Sequence, residues 1–133
     1  MPTELQVPIT SEADIVTARQ KGRELAASTG FSGTEQTLIA TAISEIARNI
    51  VTYAKRGEIH LSALQEDGRR GVLVVARDDG PGISDPQLAM QDGYSTAKSL
   101  GLGLPGAKRL MDEFDLATAP GKGTTVTMKK WVR

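Results

Sequence analysis

A glutamate and an asparagine stand one helical turn apart near the middle of the chain, in the stretch ISEIARNI. Glu45 and Asn49 are spaced i and i+4, which places both side chains on one stripe of a helix. A carboxylate at this position could accept a proton, and an amide oxygen could bind a hard cation such as Mg²⁺. The alternative is structural: Glu45 caps a neighbouring backbone group and Asn49 bonds a loop.

Apolar residues surround these two positions on the predicted helix. At ~100° per residue, about half of the circumference is apolar, and it is filled by Leu38, Ile39, Ala42, Ile43, Ile46, Ala47 and Ile50. Asn49 falls inside this arc and Glu45 falls at its border. Because burying an unpaired carboxylate is costly, this helix either supplies internal partners for both groups or forms one wall of a pocket.

A second polar segment, DDGPGIS, comes directly after the apolar stretch GVLVVAR. Asp78 therefore stands at the end of a predicted strand, where its carboxylate could accept a hydrogen bond from an exocyclic amine. Gly80 and Gly82 permit positive φ and the close approach of a ligand to the backbone. A plain turn is the alternative, because Asp-Gly and Pro-Gly are common turn pairs.

A third segment, SLGLGLPGAKRL, is rich in glycine and leads into a short predicted helix. Gly101, Gly103 and Gly106 match the dinucleotide fingerprint, but that fingerprint needs a preceding strand in an early βαβ unit, and GYSTAKS is not a strand pattern. A glycine-rich segment before a helix N-terminus still suits phosphate. A Walker loop is excluded, because Gly123 follows Lys122 where Ser or Thr is required.

The helices and strands that position these residues can be predicted from the spacing of apolar residues and from the positions of glycine and proline. We expect strands over LQVPI, EIHLSAL, GVLVVAR, FDLATA and TTVTMKKWV, with Pro8 marking the first as an edge strand. Helices are expected at about 11–30 and 34–54 and from Pro105 onwards. This order lacks regular βαβ alternation, so we predict an α+β fold with one antiparallel or mixed sheet and helices layered on one face.

Length and composition set broad limits on function. The 133 residues suit a single domain over 1–133, and the absence of cysteine excludes disulfides and thiolate metal sites. The 16 basic and 16 acidic residues cancel, and no basic stripe indicates nucleic acid. No apolar run reaches the ~20 residues that cross a bilayer, and no signal peptide is visible. We expect a cytoplasmic protein that binds neither nucleic acid nor membrane.

Taken together, four segments resemble the ATP-binding boxes of the GHKL superfamily, in the same order. They are E45-x-x-x-N49, D78-x-G80-x-G82, G101-x-G103 and G123-T124. The resemblance implies the Bergerat fold, a two-layer α/β sandwich with a mixed, mostly antiparallel sheet. Within the superfamily the chain is similar to the anti-sigma-type serine/threonine kinases, and especially to the switch kinases of stressosome modules. That likeness is carried by AISEIARNI, DDGPGI, GLGLPGAKRLMDEF and the ending KKWVR.

The resemblance implies a role for individual residues. Glu45 would be the base that activates the acceptor hydroxyl, Asn49 would bind the Mg²⁺ that bridges the ATP phosphates, and Asp78 would accept from the adenine amino group. Gly80 and Gly82 would clear space for the nucleotide, and Ile83 would pack on the adenine ring. The segment Gly101, Leu102, Gly103 and Leu104 would cover the phosphates, and Thr124 would support adenine through water. Lys98 is a further phosphate contact, with a solvated loop lysine as the alternative.

The resemblance also implies partners. Histidine kinases need an acceptor histidine on a separate helical domain, whereas the only histidine here is His60, in a predicted strand. Gyrase-like and MutL-like ATPases need a following domain. The implied function is an ATP-dependent kinase that phosphorylates STAS-domain proteins on Ser or Thr and, once released, activates a PP2C-type phosphatase. Two rivals remain, namely an anti-sigma factor that phosphorylates its STAS partner and an ATP-dependent interaction module with negligible transfer.

Overall fold

A computed structural model describes residues 4–80, 104–118 and 121–133. The predicted order of elements is confirmed, and the five strands form one sheet in the order β1-β2-β3-β5-β4, antiparallel at every pairing. The elements are β1 (Glu4–Ile9), α1 (Glu12–Thr29), α2 (Gly33–Asn49), a π-helical turn (Ile50–Ala54), β2 (Gly57–Glu66), β3 (Arg69–Asp78), α3 (Leu104–Leu110), β4 (Glu113–Thr118) and β5 (Thr124–Trp131).

The long helices begin and end at residues that satisfy free backbone groups. Ser11 and Asp14 form a capping box at the start of α1, in which the Asp14 carboxylate accepts from the Ser11 N–H at 3.1 Å. Gly30 ends that helix in a left-handed conformation with φ of 111°, which favours glycine. The Ser32 hydroxyl accepts from the Glu35 N–H at 3.2 Å and starts α2.

The apolar core lies between the helices and one face of the sheet. Along β3, Val72, Val74 and Ala76 are buried, whereas Leu73 and Val75 on the other face are half-buried, as strand alternation requires. The largest fully buried side chains are Ile9, Ile39, Ile43, Ile46, Ile59, Leu61, Val72, Val74 and Met128. None of the helices in the described ranges is both long and apolar enough to span a membrane.

The α-helical part of α2 ends earlier than predicted. It stops at Asn49, and the next five residues, Ile50–Ala54, form a π-helical turn. Lys55, at φ of 77°, ends this turn. Apolar spacing does not distinguish one π turn from one α turn, so the change has no signal in the sequence. Single π turns occur frequently at functional sites, and this one directly follows a predicted site residue.

Two other boundaries also differ slightly from the prediction. The β2–β3 hairpin is longer, because Asp67 and Gly68 have φ of 52° and 78° and form a two-residue turn. Turns with positive φ at both central residues match the twist of the strands, so pairing continues to Glu66 and Arg69. Helix α3 begins at Leu104, one residue before the predicted start.

The end of β5 is held by side chains as well as by pairing. Lys130 is buried, and its Nζ donates to the Leu110 carbonyl at 2.9 Å, which satisfies a free carbonyl at the end of α3. Trp131 Nε1 donates to Glu113 Oε2 at 2.7 Å, and the Arg69 guanidinium lies 4.2 Å from the Trp131 ring centroid. These contacts fix β5 against α3, β3 and β4.

Helices α1 and α2 pack closely at Gly22. A methyl group added to Gly22 would overlap the Cδ1 atom of Ile43, which is itself completely buried. Cδ1 is the atom that distinguishes isoleucine from valine, so the two positions should be energetically coupled.

We predict that Gly22→Ala and Ile43→Val partly compensate for each other. Ile43→Val alone should cost about 0.5–1.5 kcal/mol of unfolding free energy. Gly22→Ala alone should cost about 1–3 kcal/mol through overpacking, offset by about 1 kcal/mol of helix propensity. In the double variant the new methyl occupies the space of the missing Cδ1, so urea unfolding should show a loss smaller than the sum. Strict additivity would contradict this packing.

Candidate functional site

Four residues form a row across the sheet at its end nearest the C-terminus of α2. Gly57 pairs with Asp78, Asp78 with Thr124, and Thr124 with Thr118. By strand alternation this polar row faces the helix layer, as does the next row inward, which is apolar and consists of Ile59, Ala76, Val126 and Leu116. The polar row therefore lies at the border of the core, where a ligand can reach polar groups from a mostly apolar surface.

Asp78 is the charged member of the polar row. Its Oδ1 accepts from the Gly80 N–H at 2.9 Å. Desolvation by burial raises the pKa of Asp78 above its ordinary value, and the charge of Asp79 also raises it, while hydrogen bonds from the Gly80 and Thr124 N–H groups oppose the shift. Backbone N–H groups thus hold the half-buried carboxylate in place, although its burial costs it hydration. This combination is common at binding sites.

The π-helical turn brings the end of α2 onto this part of the sheet. A methyl group on Gly80 would lie 2.6 Å from Ala54 Cβ, and one on Gly57 would lie 2.9 Å from Ile50 Cγ2 and 3.0 Å from Asp78 Cβ. Real Cβ atoms do not approach so closely, so glycine at both positions permits the contact. Asn49 directly precedes Ile50, so its backbone lies near this end of the sheet.

The Asn49 side chain has an unusual environment. Its Nδ2 atom is buried and donates to none of the described residues. A buried polar group without a partner costs about 1–3 kcal/mol. The structural alternative, in which Asn49 bonds a loop, is not seen in the described part of the chain. An unsatisfied amide donor can instead be satisfied by a ligand.

Glu45 lies one turn before Asn49 on α2, about 6 Å along the helix axis. Its side chain is half-buried, and no hydrogen bond or ion pair of this carboxylate occurs within residues 4–80, 104–118 and 121–133. The capping role considered as an alternative is therefore not observed there.

The remaining predicted site residues divide into two groups. Leu104 is buried and is the first residue of α3, and Thr124 is the first residue of β5 and is half-buried. Six predicted positions lie outside the described residues, namely Gly82, Ile83, Lys98, Gly101, Leu102 and Gly103.

The site fits a magnesium ion in one respect. Mg²⁺ typically takes few protein ligands, retains water and binds substrate phosphates, and the Asn49 side chain carries one amide oxygen of the kind it prefers, although the buried atom without a partner is the Nδ2 donor. In the described ranges no group of three or more His, Cys, Asp or Glu side chains could hold a metal ion.

A separate groove of about 350 Å³ reaches the same end of the sheet. Glu58 and Arg77 in its lining pair across β2 and β3 and belong to the face opposite the polar row. Its full lining is Gln6, Pro8, Thr10, Arg56, Gly57, Glu58, Arg77, Asp78 and Asp79. Glu45, Asn49 and Thr124 are not among them, but Gly57 and Asp78 are, so this groove adjoins the polar row from the opposite face.

Sequence reasoning missed Thr118. Its Oγ1 donates to the Gly123 carbonyl at 3.0 Å and lies 3.0 Å from Thr124 Oγ1. The strand pattern reveals it only in part, because a hairpin closed around the predicted turn PGKG would pair Ala119 with Thr124, one residue out of the observed register. Gly123 has φ of 76°, and a methyl group there would overlap the Asp78 carbonyl, so the turn packs directly on β3.

Comparisons with known proteins agree with this geometry. A family model described as histidine kinase-like ATPase domain matches residues 9–130. The chain is 50% identical over 127 residues to the serine/threonine-protein kinase RsbT of Bacillus subtilis, covering 96% of each chain. It is 35% identical over 100 residues to an anti-sigma F factor of Caldanaerobacter subterraneus, covering 71% of this chain and 68% of that one.

One solved structure is also similar. It contains the RsbU and RsbW domains of a Mycobacterium tuberculosis protein and superposes with a TM-score of 0.62 at 26% identity. The match covers 98% of this chain and 32% of the solved chain. Both the fold and the order of elements are therefore shared with a relative of known structure.

The raised pKa of Asp78 predicts a pH dependence of stability. Because the folded state holds this carboxyl proton more tightly than the unfolded chain, the associated stability is complete below the unfolded pKa and is lost as pH rises through the folded pKa. Relative to wild type, Asp78→Asn should therefore gain unfolding free energy as the pH rises from below the ordinary pKa of an aspartate, about 3.9, to above the raised pKa of the folded state, measured by urea unfolding. The neighbouring variant Asp79→Asn removes only the smallest contribution to this shift, so it should retain most of the wild-type pH dependence. A difference between Asp78→Asn and wild type that does not change with pH would contradict the prediction.

The family match and the placement of Asn49 near the end of the sheet that carries the polar row point to the same conclusion. The matched region contains every described residue of the predicted site, from Glu45 to Thr124. The chain therefore belongs to the family of histidine kinase-like ATPase domains, the GHKL superfamily, and within it to the RsbT-like serine/threonine kinases.

Proposed function

We propose that this chain is a cytoplasmic switch kinase, acting as one domain over residues 1–133. It transfers the γ-phosphoryl group of ATP to Ser or Thr of STAS-domain antagonist or scaffold proteins in a bacterial stressosome module. After release from them it activates a PP2C-type phosphatase or a similar effector. The observation that carries the proposal is the unpartnered Asn49 amide donor near the same end of the sheet as the half-buried Asp78, supported by a relative named as a kinase that matches over nearly its whole length.

Asp78 and the glycines around it would bind the adenine end of ATP. The ionised carboxylate only accepts hydrogen bonds, and the N–H groups of Gly80 and Thr124 already hold it in position. Its remaining lone pairs suit the exocyclic amino group of adenine. The absence of a side chain at Gly80 lets it pack directly against the π-helical turn. The predicted contacts of Gly82, Ile83, Lys98 and the segment 101–104 would complete the pocket.

Asn49 and Glu45 would serve the phosphate end. Mg²⁺, when bound, would neutralise charge on the triphosphate, and Asn49 would supply one oxygen ligand. In the transfer, the acceptor hydroxyl oxygen forms a bond to the γ-phosphorus while the bond from that phosphorus to the β–γ bridging oxygen breaks. Glu45 takes the hydroxyl proton, and ADP leaves. Positioning and charge neutralisation supply most of the catalysis in such reactions.

A second candidate function is an anti-sigma factor that inhibits a sigma factor and phosphorylates its STAS partner. The specific observation in its favour is the similarity to anti-sigma F factors, at 35% identity over 71% of this chain. The same nucleotide site serves both candidates, so they differ in the partner that the surface binds rather than in the chemistry.

Two substitutions should separate catalysis from nucleotide binding. Glu45→Gln should leave ATP affinity nearly intact while phosphotransfer falls about 10²–10⁴-fold, because it removes a general base. Asp78→Asn should instead weaken ATP binding about ten- to a hundredfold, because a hydrogen bond to a charged group is lost. Calorimetric titration and single-turnover transfer measure the two effects. Unchanged transfer in Glu45→Gln would show that Glu45 is not the base.

Labelled ATP with purified partners tests the proposed substrate. We expect label on Ser or Thr of a STAS protein encoded near this gene, and no label when Glu45→Gln replaces wild type. Pull-downs with this STAS protein and with a sigma factor distinguish the switch kinase from the anti-sigma factor. ATP binding without any transfer to a STAS protein would contradict the kinase proposal and favour an interaction module.

A further inference from the structure

Thr118 lies at the end of the polar row and contacts both parts of the turn that carries Thr124. Its hydroxyl donates to the Gly123 carbonyl at 3.0 Å and lies 3.0 Å from the Thr124 hydroxyl. All three residues belong to the β4–β5 hairpin, and Thr118 is paired directly with Thr124. The contact is therefore built into the strand register.

The proton count of these hydroxyls fixes the direction of the hydrogen bonds. A threonine hydroxyl has one proton to donate and two lone pairs. A carbonyl can only accept, so the Thr118 proton goes to the Gly123 oxygen. In the contact between the two hydroxyls, Thr124 must then be the donor and Thr118 the acceptor. The Thr124 hydroxyl proton therefore points to Thr118, along the polar row. The lone pairs of the Thr124 oxygen remain free to accept a hydrogen bond from a ligand.

Asp78 and Thr124 then present the same hydrogen-bonding character. They are paired across β3 and β5, so their side chains share one face of the sheet. The Asp78 carboxylate is an acceptor, and Thr124 becomes a second acceptor beside it. A 6-amino purine has two N–H donors on its exocyclic nitrogen, one for each acceptor. A 6-oxo purine presents an oxygen there, which neither group can bond.

We propose that Thr118 is a positioning residue that fixes Thr124 as a hydrogen-bond acceptor and so contributes to selection of 6-amino over 6-oxo purine nucleotides. The inference rests on the proposed nucleotide site and adds to it the origin of part of its base specificity. Thr118 acts on base selection through Thr124. Gly123 tolerates no side chain because its φ is 76° and Asp78 lies against it, so the Thr118 bond also anchors the turn.

Titration of the full chain with ADP and IDP in the presence of Mg²⁺ tests this role, because the two nucleotides differ at the purine 6-position. Wild type should prefer ADP. Thr118→Val removes the hydroxyl at similar shape and should reduce the ADP-to-IDP affinity ratio by about three- to tenfold, the value of one hydrogen bond. Thr118→Ser keeps the hydroxyl and should stay within about twofold of wild type. If circular dichroism shows that Thr118→Val is unfolded, Thr118→Ala replaces it.

A double-variant comparison separates positioning from a general structural role. In a Thr124→Val background, Thr118→Val should cause no further change in the ADP-to-IDP ratio, because its effect passes through Thr124. A folded Thr118→Val protein with the wild-type ratio would overturn the role of Thr118 and leave the nucleotide site intact. Failure of wild type to bind either nucleotide would overturn the proposed function itself.

Discussion

The Asp78 carboxylate has to remain at the border between water and the apolar core, and the arrangement of the site depends on this constraint. The next residues inward on the same face, including Ala76 and Val126, are buried, so the carboxylate cannot move deeper without losing solvation. Backbone donors from Gly80 and Thr124 hold it in place. The close contact of the π-helical turn with Gly57 and Gly80 then brings the backbone of Asn49 near the same end of the sheet. A methyl group at either glycine would separate the two halves of the site.

Much of this arrangement follows from local sequence signals. Alternation in GVLVVAR predicted β3 and left Asp78 at its end, and Ser11 and Gly30 predicted the limits of α1 because their side chain and backbone satisfy free helix groups. The i and i+4 spacing of Glu45 and Asn49 likewise predicts that both lie on one stripe of α2. These features depend on a few neighbouring residues, and so they can be read without the tertiary structure.

Other features depend on contacts between distant segments. The π-helical turn is not distinguished by apolar spacing, and the tight packing at Gly57 is defined by Ile50 and Asp78 together. The role of Thr118 depends on register, and a shift of one residue would turn its side chain to the opposite face. The raised pKa of Asp78 is a consequence of burial, which the sequence of the turn alone does not contain. Partner choice depends on surfaces outside this site. The residues proposed to face the nucleotide point toward the helix layer, so they cannot distinguish the two candidate partners.

The polar row also connects nucleotide binding to completion of folding. Its members come from β2, β3, β4 and β5, and the last strand ends two residues before the C-terminus of the chain. No fragment that lacks β5 can assemble the polar row, so a nucleotide bound there as proposed would select only molecules in which all of these strands have paired. Binding to the native state alone shifts the equilibrium away from partly unfolded forms by mass action. The cellular supply of nucleotide would thus influence the lifetime of the protein against proteases as well as its catalytic state.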